Sequence, residues 1–417
     1  MKIFKFGGAS VKDAEGVKNV AQVLQETGTT HKVVVISAMG KTTNALEKVI
    51  YNYFENAEKL TEAIQFVKAY HHEILEQLFT DKTHSIFQKV NHFFEELETF
   101  LNRNKSPNYD FVYDQVISFG ELISTTIVSE YLSSLNIKNT WLDARNLVKT
   151  DATYRDAKVD WTTTEMKIQQ QIEPQQLYIT QGFIASDANN FTTTLGREGS
   201  DYTAGIFAYC LKAIDVTIWK DVEGVLNADP RVFENTQLLE EISYEEAIEL
   251  AFYGASVIHP KTLQPLQKRE IPLLVKSFFN PTNKGTIVGK GKIITPYVPC
   301  FIVKKNLVLL SLSALDFSFF VEENISEIFA LFHKYQIKVD LIQNSAISFS
   351  VCVDNKFNNV DKLITHLKAK FKVKYHKNVS LYTVRHFTKE AIDLLEKDKT
   401  ILLKQLTRQT VQLVTKE

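Results

Sequence analysis

The sequence predicts an α/β protein with an open, mostly parallel sheet between helices, followed by smaller ferredoxin-like α+β modules. The first 55 residues alternate twice between an apolar strand, a glycine-containing turn and an amphipathic helix, which is the order typical of a parallel sheet. Such elements continue to about residue 279. Residues 298–417 instead alternate β-rich runs with two amphipathic helices and a shorter third one, as βαββαβ units do.

The change of pattern predicts two regions in a chain of 417 residues, which exceeds the usual size of a single core. Residues 1–290 are expected to form the α/β domain. Within it, residues 57–105 have apolar positions at three- and four-residue spacing and are expected to be a helical insert. Residues 298–417 are expected to hold two paired modules, the second of them short.

The composition limits the classes of partner. Lys and Arg number 48, Asp and Glu 49, and the formal net charge is −1, so no field favours nucleic acid or an anionic membrane. The three cysteines, Cys210, Cys300 and Cys352, form no CxxC pair, which argues against a disulfide framework or a zinc site. No segment reads as a signal peptide or a membrane span. We expect a cytoplasmic protein.

The first candidate site is the turn Lys5-Phe6-Gly7-Gly8-Ala9-Ser10 at the end of the first strand. Backbone N–H groups of such a turn and a following helix N-terminus face an anion, and Lys5 adds a full positive charge. An ordinary strand-to-helix turn with a solvated lysine remains the alternative.

A second candidate is the segment TTTLGREGSDYTAG, residues 192–205. Gly196 and Gly199 flank Arg197, and Ser200-Asp201 is typical of an N-cap that begins a helix. An arginine held there can bind a carboxylate through two hydrogen bonds. The alternative is a capped helix with a surface arginine.

Other polar residues have good structural explanations. Glu121, in Ser118-Phe119-Gly120-Glu121, is predicted to lie in the first turn of a helix, where an acid offsets the helix dipole. His259 precedes a proline, and a lone histidine there is more often structural than a catalytic base. The segment IWKDVEGVLNADPR, residues 218–231, has charges that suit a nucleotide rim, although Asp-Pro and Glu-Gly are ordinary turn formers.

Taken in order, these segments resemble the aspartate kinases of the amino-acid kinase family. KFGGASV and SAMGKTTN resemble two glycine loops of that family, and SFGE, GFIA, TTTLGREGSDYTA, KDVEGVLNADPR and ELAFYGASVIHPKT complete the series. The seven segments span roughly residues 5–262. Another kinase of the family, acting on glutamate or acetylglutamate, and a catalytically weak amino-acid sensor remain alternatives.

The resemblance implies an amino-acid-kinase-type sheet with ATP and the amino acid at the carboxyl ends of its strands, and Mg²⁺ with the ATP. It implies catalytic roles for Lys5 and Asp201, the latter beside the reacting phosphate. It places the acceptor amino acid at Thr43, Glu121, Phe183, Arg197 and Ser200. It places ATP at Lys5, Gly7, Gly8, Lys220, Asp221, Leu226, Arg231 and Ser256.

The implied reaction is phosphorylation of the L-aspartate side-chain carboxylate to 4-phospho-L-aspartate, the first step towards lysine, threonine and methionine. A carboxylate is ionised at neutral pH and needs no general base, so alignment and charge neutralisation suffice. Glu121 suits the α-ammonium of aspartate and Arg197 its α-carboxylate. The equatorial phosphoryl oxygens then need cations such as Lys5 and magnesium.

Some positions depart from the family pattern. Ala9 stands for a threonine, Glu198 for a glycine, Lys220 for a threonine, Leu226 for a tyrosine and Ser256 for a lysine. The C-terminal region resembles paired ACT domains, one inserted within the other, and Asp340 and Ser345 match positions of an amino-acid effector site. We expect a homodimer, or a higher homo-oligomer, through this region, and at most a weak response to lysine.

Overall fold

The computed structural model describes residues 1–255, 258–316, 318–356 and 358–416. The chain divides into two compact units. The first comprises Met1–Val225, Leu238–Ile248 and Val257–Thr295, and the second comprises Leu226–Gln237, Glu249–Ser256 and Pro296–Glu417.

Up to residue 295 the chain contains strands, α-helices and two short 3₁₀ turns, Gly8–Val11 and Ala57–Lys59. The strands are β1 (Lys2–Phe6), β2 (Lys32–Ile36), β3 (Thr140–Leu142), β4 (Leu177–Gln181), β5 (Ile184–Ser186), β6 (Thr192–Thr194), β7 (Val216–Lys220), β8 (Val225–Leu226), β9 (Leu238–Leu239), β10 (Glu241–Ser243), β11 (Leu273–Ser277), β12 (Thr286–Gly289) and β13 (Ile294–Thr295). The helices are α1 (Ala14–Thr27), α2 (Thr42–Glu55), α3 (Leu60–Leu78), α4 (Ser85–Arg103), α5 (Tyr109–Ser134), α6 (Ala144–Leu147), α7 (Trp161–Gln171), α8 (Gly199–Leu211), α9 (Tyr244–Tyr253) and α10 (Pro260–Lys268).

The first unit is built on a nine-stranded sheet with the order β13-β10-β12-β11-β7-β1-β2-β4-β3. The six neighbouring strands from β11 to β3 are parallel, whereas β12 runs antiparallel to β11 and β13 antiparallel to β10. Every residue of β2 and β4 is buried, as expected for a parallel sheet covered on both faces. The predicted fold class is confirmed.

The central strands end together at one edge of the sheet. The N–H of Ser37 donates to the carbonyl of Phe6 (3.1 Å), and the N–H of Gly182 donates to the carbonyl of Ile36 (3.0 Å). The turns that follow β1, β2 and β4 are therefore neighbours, and this is the edge at which open α/β sheets bind ligands.

The helix that carries Glu121 begins earlier than the sequence suggests. The prediction that Ser118–Glu121 opens a helix is wrong, because α5 begins at Tyr109, where Asn108 caps it, and Glu121 lies in its middle. Gly120 is needed for close packing, since a Cβ there would lie 3.1 Å from the Cβ of Ala38 and 3.2 Å from Cγ2 of Thr42. The glycine signals close packing against α2 and the turn after β2 rather than a helix start.

The second unit contains strands and helices that follow residue 299, namely β14 (Cys300–Ala314), α11 (Glu322–Lys334), β15 (Lys338–Asn344), β16 (Ser348–Asp354), α12 (Val360–Leu367), β17 (Phe371–Arg385), α13 (Lys389–Glu396), β18 (Thr400–Leu406) and β19 (Thr410–Lys416). Its sheet is antiparallel with the order β15-β16-β14-β17-β19-β18. The 15-residue strands β14 and β17 pair along their whole length. Each half of this pair has two further strands beside it, so two four-stranded modules share one sheet.

Two general properties complete the description. Within the described residues, no helix has the length and apolarity needed to cross a bilayer. Cys210, Cys300 and Cys352 are buried free thiols.

Candidate active site

Lys5 and Asp201 form a buried ion pair at the edge where β1 ends. The Lys5 Nζ lies 2.5 Å from Oδ1 of Asp201, and the two side chains are 11% and 5% exposed. Lys5 lies on β1 and Asp201 in the first turn of α8, so the pair joins the strand to the helix N-terminus. The sequence predicts both residues for the site, and the fold brings them into contact.

The turn after β1 is packed closely against the turn after β2. A Cβ on Gly8 would lie 2.7 Å from the carbonyl oxygen of Ala38, and a Cβ on Gly7 would lie 3.2 Å from Nζ of Lys5. The N–H of Gly40 donates to the carbonyl of Gly8 (3.0 Å). A side chain at Gly7 would fill the space beside Lys5, so this glycine leaves room for a ligand next to the ammonium group, whereas Gly8 allows the two turns to pack closely.

Glu121 is a buried carboxyl group beside this turn. It is 3% exposed, and its Oε1 accepts a long hydrogen bond from the N–H of Ala38 (3.4 Å). Its Oε2 has no hydrogen-bond partner among the described residues. Burial raises the pKa of Glu121 to about 8, against the opposing effect of the Ala38 N–H. Burying a carboxyl oxygen without a hydrogen-bond partner costs free energy, unless a bound ligand supplies that partner.

The loop after β4 contacts the start of α8. A Cβ on Gly182 would lie 2.4 Å from the side chain of Ser200, and a Cβ on Gly199 would lie 2.6 Å from the Phe183 ring. Phe183 has φ +69°, and its N–H donates to Oγ1 of Thr203 (2.9 Å). These contacts fix Phe183 and Ser200 next to each other.

Arg197 and Glu198 form the tight turn that leads into α8. Gly196 has φ +77° and Glu198 has φ +53°, and Arg197 between them is exposed. The helix begins at Gly199 with Glu198 as its N-cap, so the prediction that Ser200-Asp201 caps the helix is displaced by two residues. Oε2 of Glu198 is buried without a hydrogen-bond partner in the described part of the chain.

Lys220 ends β7 beside β1, and Asp221 follows it as an exposed residue. Burial and the nearby Lys5 lower the pKa of Lys220, while Asp201, Glu198 and Asp221 oppose that shift. Lys220 therefore belongs to the same electrostatic group as the Lys5–Asp201 pair.

Other predicted residues lie on different elements of the chain or have partners of their own. Thr43 is half-buried in the first turn of α2. Leu226 and Arg231 belong to the second compact unit, where the exposed Arg231 guanidinium pairs with Asp229 (2.7 Å). Ser256 lies outside the described residues.

His259 caps α10, its Nδ1 accepting from the N–H of Lys261 (3.2 Å). Burial lowers its pKa. This contact is the structural task that the sequence favours over catalysis.

The two predicted effector residues lie in the second unit and have partners there. The Asp340 carboxylate pairs with Lys304 (2.7 Å). The Ser345 hydroxyl lies 2.7 Å from the Ser348 hydroxyl and accepts from the Ser348 N–H (3.2 Å).

Sequence reasoning missed three contributors. Ala38 connects the Gly8 turn with Glu121, and only its position in the quoted SAMGKTTN loop could have pointed to it. Glu198 was noted only as a departure from a pattern. Asp114 is fully buried and accepts from the N–H and hydroxyl of Thr194 (both 2.8 Å) and from the Arg155 N–H (3.0 Å). It positions β6, which leads into the Arg197 turn.

The described residues include no group of three or more His, Cys, Asp and Glu side chains suited to hold a metal ion. Magnesium at kinase sites is usually carried by nucleotide phosphates, with one or two carboxylates and water completing its shell. The buried, unpaired Oε2 of Glu198 beside Asp201 fits that smaller requirement.

The chain is similar to the amino acid kinase family and, within it, to aspartokinases. Residues 1–277 match the amino acid kinase family. The chain is 32% identical over 355 residues to the lysine-sensitive aspartokinase 3 of Escherichia coli, covering 84% of this chain and 78% of that enzyme. It spans 36% of a bifunctional aspartokinase/homoserine dehydrogenase of Buchnera aphidicola, to which it is 34% identical.

Solved structures of E. coli aspartokinase III resemble the chain over nearly its full length. The complex with lysine and aspartate (T-state) has a TM-score of 0.85 at 28% identity, and it covers 99% of this chain and 95% of the other. The complex with aspartate and ADP (R-state) has a TM-score of 0.81 at 27% identity and covers 100% and 96%.

Proposed function

The chain belongs to the aspartokinases of the amino acid kinase family, and on this premise we propose that the site around Lys5, Glu121 and Asp201 phosphorylates the side-chain carboxylate of L-aspartate with ATP. The products are 4-phospho-L-aspartate and ADP, and the reaction begins the aspartate-derived amino-acid pathways. One observation carries the proposal: the buried Glu121 has an oxygen without a hydrogen-bond partner among the described residues, and Ala38 links it to the glycine turn that follows Lys5.

Glu121 selects an acceptor that has an ammonium group. The group is buried, and one of its oxygens has no partner in the described structure, so the α-ammonium of an amino acid supplies both the missing donor and the missing charge. Arg197, exposed at its glycine turn, binds the α-carboxylate. Thr43, Phe183 and Ser200 complete the acceptor pocket. The β-carboxylate is then the free nucleophile.

Phosphoryl transfer needs little chemistry from the protein itself. A β-carboxylate oxygen bonds to the γ-phosphorus as the bond to the β,γ-bridging oxygen breaks, and ADP leaves without any proton transfer. Lys5 and the N–H groups of the Gly7–Gly8 turn stabilise the oxygens of the transferred group. Asp201 holds the Lys5 ammonium through their 2.5 Å pair. Glu198 or Asp201, together with the ATP phosphates, would hold magnesium, which would neutralise further charge.

For further contacts with ATP we propose Lys220, Asp221, Leu226, Arg231 and Ser256. Lys220 ends β7, the strand beside β1, and Asp221 follows it, which supports the place of both near the phosphates. The remaining three are proposed from sequence resemblance.

The test is an assay with ATP, Mg²⁺ and L-aspartate in which the acyl phosphate is trapped as a hydroxamate. L-Aspartate should give product, and L-glutamate should be on the order of 100-fold slower, because a displacement of about 1 Å can cost that much. N-Acetylglutamate, which has no ammonium group for Glu121, should give none. Equal turnover of glutamate or acetylglutamate would contradict the acceptor assignment.

We further propose a cytoplasmic homodimer or higher oligomer formed through the six-stranded sheet. The free buried thiols support a reducing compartment. The edge strands β15 and β18 have exposed apolar residues, including Ile342 and Leu406, and pairing such edges across a two-fold axis protects them. Light scattering of the purified protein tests this, and a stable monomer at micromolar concentration would refute it.

A further inference from the structure

Lys220 lies on the same side of the large sheet as Lys5. In the parallel pairing of β1 with β7, Lys5 is opposite Ile218, and side chains in register share a face while every second residue returns to it. Lys5, Ile218 and Lys220 therefore point to one side. The Lys5–Asp201 contact shows that this is the side on which α8 begins.

The neighbouring strand gives the same result. Lys220 is in register with Ser277 on β11, and Trp219 is in register with Lys276. Lys276 thus points to the opposite side, where its ammonium lies 5.5 Å from the centre of the Trp219 ring and donates to the Pro281 carbonyl (2.7 Å). Two half-buried lysines at the same edge of the sheet face different environments.

The charges around Lys220 are unusual for a structural lysine. Asp201, Glu198 and Asp221 attract it, while Lys5 repels it. Two ammonium groups near one helix N-terminus repel each other and the positive helix end. This repulsion is offset during the reaction if an anion with more negative charge than the local carboxylates binds to both ammonium groups.

We propose that Lys220 is a second catalytic cation, which binds the transferred phosphoryl group together with Lys5. In the phosphoryl-transfer transition state, negative charge spreads over three equatorial oxygens, so two ammonium groups stabilise it more than one does. Before nucleotide binds, Asp201 and Glu198 balance the two lysines. This inference rests on the proposed function for its reaction, but the contact with phosphate can be tested without an acceptor.

The kinetic test compares Lys220→Met with Lys276→Met, its matched control on the opposite face. Lys220→Met should lower kcat on the order of 100-fold with the aspartate KM within about threefold, because Lys220 does not bind the acceptor. Lys220→Arg should recover part of the loss. Lys276→Met should keep kcat within about threefold, since the ammonium of Lys276 contacts the Pro281 carbonyl and the Trp219 ring on the opposite face.

The binding test uses calorimetry with Mg²⁺ and either ADP or the non-hydrolysable analogue AMP-PNP. Lys220→Met should weaken AMP-PNP about tenfold, the size of one charge-assisted contact, and leave ADP within about threefold. If the wild type does not phosphorylate aspartate but Lys220→Met still weakens AMP-PNP more than ADP, the acceptor assignment is wrong and the contact of Lys220 with phosphate is supported. A folded Lys220→Met protein with unchanged kcat and unchanged AMP-PNP affinity would overturn the inference, as would equal losses in both methionine variants.

Discussion

The Lys304 ammonium lies 2.7 Å from the Asp340 carboxylate, whose side chain is only 3% exposed. Asp340 matches a position of an amino-acid effector site, and its carboxylate is the group there that could bind the ammonium of such a ligand. The Lys304 chain also packs over Gly254, where a Cβ would lie 2.5 Å from its Cε. Lys304 is therefore held in place on both sides, and a ligand's ammonium would have to displace it from Asp340.

Free lysine should inhibit the wild-type enzyme weakly or not at all. An intramolecular partner has an effective concentration in the millimolar range or above, so lysine at about 10 mM should change the initial rate by less than about twofold. The measurement is the initial rate against lysine and threonine, singly and together. Potent inhibition by lysine alone would contradict this prediction.

Lys304→Met should make Asp340 available to a free amine. The variant removes the nearer counter-charge of a buried carboxylate and leaves the exposed Lys338 at 4.0 Å, which lowers stability. Millimolar lysine should then raise the melting temperature of this variant by restoring the missing ammonium group. Lys305→Met is the matched control, because Lys305 is the exposed neighbour on the same strand, and its melting temperature should not respond to lysine.

Lys5 and Arg197 should have separable kinetic roles. Lys5→Ala should lower kcat on the order of 100-fold or more with a smaller effect on the aspartate KM, because Lys5 acts on transition-state charge. Arg197→Ala should mainly raise the aspartate KM. Lys2→Ala, at the other end of β1 and half-exposed, serves as the control. Near-normal turnover of Lys5→Ala at saturating ATP would refute the mechanism.

The sequence predicted the parts of the site that are local. Lys5 and Asp201 lie directly at a strand end and a helix start, and glycines and capping residues mark such places in any sequence. The alternating strands and helices likewise predicted the class of fold, because a parallel sheet needs a crossover between each pair of strands.

What the sequence could not show depends on distant partners. Asp340 and Lys304 are 36 residues apart, and Asp340 lies where β15 changes register, between Val339 and Leu341. Gly120 suggested a helix start, whereas the structure uses it to bring the middle of α5 close to Ala38. Neither a bulge nor a close approach leaves a periodic signal.

Asp114 should be a stability residue rather than a catalytic one. Its carboxylate accepts three hydrogen bonds from Thr194 and Arg155, and Asp114→Ala leaves those buried donors unpaired, at a cost of about 2–5 kcal/mol. Asp114→Asn keeps an acceptor oxygen and should lose much less. Burial raises the pKa of Asp114 to about 6, so a neutral replacement is tolerated. Thermal unfolding of both variants is the measurement; an equal loss in both would contradict this explanation.

Glu121 should couple aspartate binding to release of a proton. Its pKa is raised to about 8 in the folded protein, so the carboxyl group is mostly protonated at pH 7, whereas the bound ammonium requires the carboxylate. Below pH 8, the aspartate KM should therefore fall about tenfold for each unit by which pH rises. Glu121→Gln should bind aspartate on the order of 100-fold more weakly and lose this slope. Calorimetry in buffers of different ionisation heat measures the released proton directly.

The raised pKa of Glu121 also predicts how the stability of the protein changes with pH. An unfolded glutamate titrates near 4.3, so between about pH 4 and pH 8 the native state holds a proton that the unfolded state has lost. The contribution of Glu121 to stability is then fully present below about pH 4 and is lost as pH rises through 8. Glu121→Gln should remove this part of the decline in melting temperature. Glu47→Gln is the control, because the Glu47 carboxylate is more exposed and accepts a hydrogen bond from Tyr113 (3.0 Å); this variant should keep the decline. A wild-type melting temperature that does not change between pH 4 and pH 8 would show that Glu121 is ionised without ligand.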